Sequence, residues 1–333
     1  MLHVTSLQSY QLSVSRVGNA HLFIPFFLHD VMKAEITLHL WDRLWQQYRA
    51  RVSYAQVYEQ MVLQAGGTVA NDHIAFRSLR LNIDTPEGRQ NLGIEYLASV
   101  AETLGYKAAG EYIFPAQNLY ARHYRHPEQE QYDLPKLFIS ELIVEELPEA
   151  IASPIYQTVS DASLGWAMPS NATNPTDIDL IVDRLQGVFT RPWSPPKKSV
   201  VEEVNRVTQY GAWVLLHGYA VNHFTGYVNR QHTLQYPDIE TTANGLAALG
   251  VPMKAQIEGS LEVGLRQTAT HAVKEMVTVI DDVTGKLIQI PWTYAYYEIA
   301  ERYPVEASGK KVLFDAFLGQ NAQYLFEMTR KGS

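Results

Sequence analysis

No cysteine occurs among the 333 residues, so disulfides, zinc-thiolate sites and iron-sulfur clusters are excluded. Any bound metal must be held by histidine and carboxylate. The lack also fits a reducing compartment, and a cytoplasmic protein is expected, or a plastid one if the source is a plant. Basic runs are missing as well: 27 Lys and Arg stand against 35 Asp and Glu, for a net charge of −8. A phosphate backbone needs a basic face, so nucleic acid is not an expected partner. Long apolar runs are also lacking. The segment Leu22-Phe23-Ile24-Pro25-Phe26-Phe27-Leu28 is too short to span a bilayer and is interrupted by Pro25. It has neither the basic start nor the small-x-small cleavage site of a signal peptide, and no membrane partner is expected. What remains is a globular composition, 46% hydrophobic and 19% charged.

The length suits two domains, or one large domain built from two halves. Residues 1–31 read as an N-terminal extension outside the fold, with Met32 as the functional start. Residues 32–147 hold N-terminal helices and a first module. Leu38, Trp41, Leu44, Trp45 and Tyr48 are spaced for one apolar helix face, and Ser53 opens a second helix ended by Gly66-Gly67. A strand at Asn71–Ser78 precedes a turn at Asp84–Gly88 and a helix closing at Gly105. Strand-like runs follow at Glu111–Pro115, Leu119–Arg125 and Lys136–Val144. Residues 148–208, punctuated by Pro148, Pro154, Pro169, Pro175, Pro192, Pro195 and Pro196, read as a helical connector. Residues 209–333 form a second module and C-terminal segment. Here a strand-like run at Trp213–Val228 precedes a helix at Ile239–Leu249. Strand candidates at Gln256–Val263, Gln267–Thr270 and Val277–Asp281 precede a last run at Ile290–Ala300. The second half repeats the first half's order, and two such modules can pair curved sheets around one cavity.

Chemistry first shows at Asn71–Ser78. Alternation on a strand puts His73, Ala75 and Arg77 on one face. Neutral imidazole binds metals, and Arg grips carboxylates through paired hydrogen bonds. A lone strand histidine is ordinarily a packed or surface residue, so the motif gains weight only with partners elsewhere. His217 and His271 read as structural. His123 and His126 lie near a turn, where exposure is expected. Gln267 and Thr268 are expected to line the pocket.

The partners are recognisable. Asp72-His73-Ile74-Ala75-Phe76-Arg77, Leu137-Phe138-Ile139-Ser140-Glu141-Leu142, Tyr210-Gly211-Ala212-Trp213 running to Gly218-Tyr219-Ala220-Val221-Asn222-His223, and Tyr297-Glu298-Ile299-Ala300-Glu301-Arg302 together resemble the 2-oxoadipate dioxygenase/decarboxylase family. That family, once a domain of unknown function, includes bacterial lysine-catabolism enzymes and plant plastid homologues. The likeness runs from about residue 34 to residue 330, ending in the Gly319-Gln320-Asn321-Ala322 and Phe326-Glu327 region.

The resemblance implies an α+β vicinal-oxygen-chelate fold: two paired strand-helix-three-strand modules enclosing a metal cavity, with added helices. It implies Fe(II) held by His73, His223 and Glu298, and Arg77 as the catalytic, substrate-holding arginine. Glu141 is open between metal ligand, partner of an Arg and support for an imidazole N–H, the last being preferred. The implied reaction converts 2-oxoadipate, a small dicarboxylic 2-oxo acid, and O2 to 2-hydroxyglutarate and CO2. The alternatives are a glyoxalase-like isomerase or lyase that works without O2, and a non-catalytic small-molecule binding protein of the same fold. Histidine and carboxylate also suit Zn, Ni, Co and Mn, so the metal is not fixed by the ligands alone. No oligomeric state is legible.

Overall fold

The helical face beginning near Ala34 packs inward. In the computed structural model, which describes residues 24–86, 88–165 and 178–319 with side chains from Met32 onward, Trp41, Leu44, Trp45 and Tyr48 are buried, while Leu38 stands at the solvent edge. Helix α1 (Ile24–Arg51) starts upstream of Met32, so its backbone crosses the boundary expected for the extension. The remainder of that extension, residues 1–23, lies outside the described residues.

Helix α2 (Ser53–Gln64) leads into strand β1 (Asn71–Arg80). The expected turn is the tip of a hairpin, β2 (Asn82–Thr85) and β3 (Gly88–Asn91), followed by helix α3 (Ile94–Thr103). Strands β4 (Lys107–Phe114), β5 (Leu119–Arg125) and β6 (Lys136–Ile143) follow, with one helical turn, α4 (Gln129–Tyr132), between the last two. The proline-punctuated connector holds α5 (Glu149–Val159), α6 (Ile178–Val188) and α7 (Lys198–Val207), and α8 (Gln209–His217) brings the chain to β7 (His223–Tyr227). Then come α9 (Ile239–Ala248), β8 (Glu258–Ser260), β9 (Leu265–Ala269), a hairpin of β10 (Lys274–Ile280) and β11 (Leu287–Thr293), and β12 (Glu298–Arg302). Strands β13 (Pro304–Ala307) and β14 (Lys310–Leu313) pair with each other.

Eight strands form one curled sheet in the order β4-β5-β6-β1-β7-β12-β9-β8. Each half is a strand, a helix and three strands: β1-α3-β4-β5-β6 and β7-α9-β8-β9-β12. In each half the first strand runs parallel to the last, β1 to β6 and β7 to β12. The halves join where β1 and β7 pair antiparallel. This is the paired-module α+β architecture that the repeat predicts.

Three expectations are corrected. Residues 213–217 belong to helix α8, not a strand. All nine residues of α8 except Gln209 are buried, so no polar stripe betrays the helical period, and its start is marked only by Thr208 accepting from the Gly211 N–H. The Val277–Asp281 run belongs to the β10–β11 hairpin, outside the main sheet, and the Ile290–Ala300 run is split between β11 and β12. Period-two alternation looks alike in a local hairpin and a large sheet, because it records faces and not partners.

Helix α1 supports the strands of the second module from behind. The Trp45 ring lies 5.2 Å from Phe224 and 5.9 Å from Tyr297, and the Tyr48 hydroxyl donates to the Tyr296 carbonyl. Gly218 ends α8 at φ +60°, where an added Cβ would meet the Arg191 Cα at 2.4 Å; glycine is needed to turn the chain toward His223. No described helix is long and apolar enough to cross a membrane.

Candidate metal centre

Three strands side by side build the centre. His73 on β1 stands opposite Thr225 on β7, and Thr225 stands beside Glu298 on β12. His223 is two residues from Thr225 on the same strand, hence on the same face, and faces Ala75, whose methyl leaves room. The outcome is a buried trio whose ligand atoms all lie within 4.8 Å of one another. The His73 and His223 Nε2 atoms are 3.3 Å apart, and each lies 3.7 Å from one Glu298 oxygen.

The backing residues decide which nitrogen carries the proton. The Asp72 carboxylate is 2.9 Å from His73 Nδ1, and the Asn222 side-chain oxygen is 3.0 Å from His223 Nδ1. Both are acceptors, so each Nδ1–H donates outward and each Nε2 turns a lone pair inward. The close Nε2 pair is then two facing lone pairs, not a hydrogen bond. Both Glu298 oxygens lack a hydrogen-bond partner among the described residues, although the side chain is 1% exposed. Burial, helped by the charge of Glu258, pushes the Glu298 carboxyl well above the usual range. Burial lowers His73 and His223 and favours their neutral forms. Two inward lone pairs and an orphaned carboxylate fit a divalent cation.

Asp72 has a second partner that the sequence reading missed. Arg302 donates to its two oxygens at 2.5 and 2.8 Å. Burial alone would raise Asp72, but the charges of Arg302 and Lys136 hold it well below the usual carboxylate range. Two adjacent residues reach one site because the β1–β7 register shifts between Asn71 and His73, and Asn222 precedes its strand. A signal was present: both histidines follow an Asx residue, and Glu298-Ile-Ala-Glu-Arg302 repeats the spacing of His73-Ile-Ala-Phe-Arg77.

Arg77 lies on the cavity side of β1, as alternation requires, and lines one cavity with His73, His223, Glu298, Gln267 and Tyr296. It is 2% exposed, with its guanidinium 4.8 Å from the Tyr210 ring centre and 5.1 Å from that of Trp213. Burial pulls its pKa down from the ordinary value, yet a guanidinium stays charged at neutral pH.

Other expectations divide. Gln267 lines the cavity, but Thr268 does not: its hydroxyl donates to the Gln256 carbonyl, since strand neighbours face opposite ways. Glu141 does not support an imidazole. It accepts from Arg80 Nε at 2.6 Å and from the Ile94 N–H at 2.8 Å, at the start of α3. One residue of parity separates it from cavity-facing Ser140. The module repeat shows what replaces it: two residues beyond the first-strand histidine, Thr225 pairs with Glu298 in one half, and Ala75 pairs with Phe138 in the other. A phenyl ring thus stands where a fourth carboxylate would. His123 and His126 are buried, contrary to expectation: β5, which carries His123, is interior to the sheet, and the His123 ring meets the Tyr112 hydroxyl, while His126, one residue past β5, meets the Leu104 carbonyl just after α3. His217 packs between Trp213 and Tyr294, and His271 is exposed.

The fold has counterparts among known proteins. A protein from Ralstonia eutropha JMP134 assigned to the glyoxalase superfamily superposes with a TM-score of 0.74 at 22% identity, covering 86% of this chain and 87% of that one. The rice hydroxyglutarate synthase crystallised with 2-oxoadipate superposes at 0.68 with 21% identity, over 97% of this chain and 98% of that one. At these identities the likeness is one of fold. The chloroplastic 2-oxoadipate dioxygenase/decarboxylase of Arabidopsis thaliana is 28% identical over 279 residues, 78% of this chain and 67% of the plant protein. The model of the 2-oxoadipate dioxygenase/decarboxylase family matches residues 41–330. The chain is therefore an enzyme of the oxidoreductase class and belongs to the 2-oxoadipate dioxygenase/decarboxylase family.

Proposed function

We propose that the protein is a non-haem Fe(II) dioxygenase that converts 2-oxoadipate and O2 to 2-hydroxyglutarate and CO2, a lysine-breakdown reaction, in the cytoplasm or, in a plant, the plastid. The observation that carries this reading is the orphaned Glu298 carboxylate facing two imidazole lone pairs, with Arg77 on the same strand face as His73. His73, His223 and Glu298 hold the metal, which supplies a site where a 2-oxo acid and dioxygen meet. Three ligands in place of four, with Phe138 at the fourth position, leave coordination places for both.

Arg77 holds the substrate's far carboxylate. About four residues of strand, some 13 Å of backbone, separate His73 from Arg77, which suits a short diacid lying along β1 between them. Gln267 lines the wall beside Glu298. Phe114, Phe138 and Phe317 supply an apolar wall that excludes water from the reacting atoms. The first carbon leaves as CO2, and both oxygen atoms enter the five-carbon product, one in its new carboxylate and one in its hydroxyl.

Anaerobic loading with Fe(II), followed by O2 uptake against a panel of 2-oxo acids, tests the reading. We expect one O2 consumed and one CO2 released per six-carbon diacid. Turnover of any substrate without O2 uptake would replace the proposal with a glyoxalase-like activity.

A further inference from the structure

Phe317 and Leu318 line one wall of the cavity, and the polar groups of the segment that carries them, residues 314–318, are tied to both modules. The Phe314 and Ala316 carbonyls accept from Arg302 Nη1 at 3.1 and 2.7 Å. The Phe317 N–H donates to the Tyr112 hydroxyl at 3.0 Å, and Asp315 pairs with Arg125 and Lys136. These contacts seat the Phe317 ring edge-on to the His73 imidazole at 4.8 Å and against Phe138 at 4.9 Å. Arg302 is the junction. Its Nη1 holds the wall, while Nε and Nη2 hold Asp72, whose Oδ1 also receives His73 Nδ1–H. A continuous path thus runs from wall carbonyls through one guanidinium and one carboxylate to a candidate ligand.

We propose that Arg302 is a positioning residue that couples the wall at residues 314–318 to His73 through Asp72, so that metal binding and wall closure reinforce each other, and that Phe317 is the ring this coupling holds in place to keep water from the reacting atoms. The proposal rests on the metal and dioxygenase reading above. Coupling of this kind is reciprocal: whatever fixes Asp72 against Arg302 fixes His73 in its metal-binding tautomer, and a metal on His73 strengthens the Asp72 end of the path. Lysine has a single nitrogen and cannot span two carboxylate oxygens and two carbonyls.

The test compares wild type, Arg302→Lys and Phe317→Ala, using Co(II) as the metal probe. In wild type, Co(II) should slow chymotryptic cleavage after Phe314 well beyond the general slowing that metal binding gives at other sites. In Arg302→Lys that protection should vanish, and Co(II) affinity should fall about tenfold, the lower end of what loss of an outer partner costs a metal site. A merely structural arginine would, when replaced, loosen cleavage sites throughout the chain and leave Co(II) affinity alone. Phe317→Ala keeps the Arg302 path, so Co(II) affinity should hold while product formed per O2 consumed drops. Wild-type Co(II) affinity in Arg302→Lys, or persistence of the Co(II)-dependent protection, would overturn the coupling. Product still matching O2 in Phe317→Ala would overturn the role of the ring. If wild type binds Co(II) but consumes no O2 with any 2-oxo acid, the dioxygenase reading fails, and the Co(II) and cleavage arms still decide the coupling.

Discussion

Arg77 is a buried cation beside two aromatic rings on the cavity face of β1, and its substitution separates shape from charge. Arg77→Lys keeps the charge and loses the planar fork, so kcat/KM for a diacid should drop by roughly 30-fold to several thousand-fold, from about 2 to 5 kcal/mol for a buried ionic contact. A monocarboxylic 2-oxo acid offers Arg77 nothing, so it should be a poor substrate that loses little more in the variant. Equal losses for the two acids would mark Arg77 as structural. Glu298 carries a pH signature. Its raised pKa means that the folded, metal-free protein favours the neutral carboxyl; a group raised in this way stabilises the fold below its unfolded pKa, and that contribution is lost as pH rises through the folded value. Metal binding requires the ionised form, so just above the usual carboxylate range it should release about one proton, and affinity should rise about tenfold per pH unit. His73 and His223, lowered by burial, are already neutral there. Calorimetry of Co(II) binding in two buffers of different ionisation heat reads the proton, and Glu298→Gln should release none. Single residues were legible where strand parity sufficed, as for His73 and Arg77. Glu141 and Thr268 were named without a parity argument, and each stands one position off the cavity face beside Ser140 and Gln267, while a register shift hid Asp72.

At the scale of elements, β7 is set by what lies behind it. A Cβ on Gly226 would sit 2.6 Å from the Tyr297 hydroxyl and 2.7 Å from Tyr58 Cζ, both on fully buried side chains that have little room to yield. Gly226→Ala should therefore push β7 off its support, costing about 1–3 kcal/mol. His223 opens the same strand, so Co(II) affinity should fall along with the denaturant midpoint. A lower midpoint with unchanged Co(II) affinity would show that the ligand's position does not depend on this backing. The elements differ in legibility for a related reason. Helix α1 was readable because one side meets solvent and its apolar positions stand out. Helix α8 was not, since burial on every side erases the period, and the β10–β11 strands were placed in the wrong sheet because their alternation does not name a partner.

Across the whole molecule, the two modules share one sheet through the β1–β7 seam, and the candidate ligands straddle it: His73 from the first half, His223 and Glu298 from the second. The order of helices and strands in each half was enough to read this repeat, although the halves differ in inserted hairpin and connector. It also located the cavity between them, whereas the Phe138 substitution that opens the site appears only once the registers are known. A metal bound across the seam acts on the folded chain as a unit. A ligand at 100 times its Kd stabilises the state that binds it by about 2.7 kcal/mol. For a chain of this size that corresponds to a rise in Tm of about 4 °C. Co(II) should give this rise in a single unfolding transition and a chelator should reverse it, while hydrogen exchange slows in β1, β7 and β12 together. His223→Ala leaves the first module's ligand untouched, yet it should abolish the rise and the slowing in all three strands. Slowing retained in β1 alone would mean that each half binds metal by itself, and the seam would then be no more than a covalent convenience.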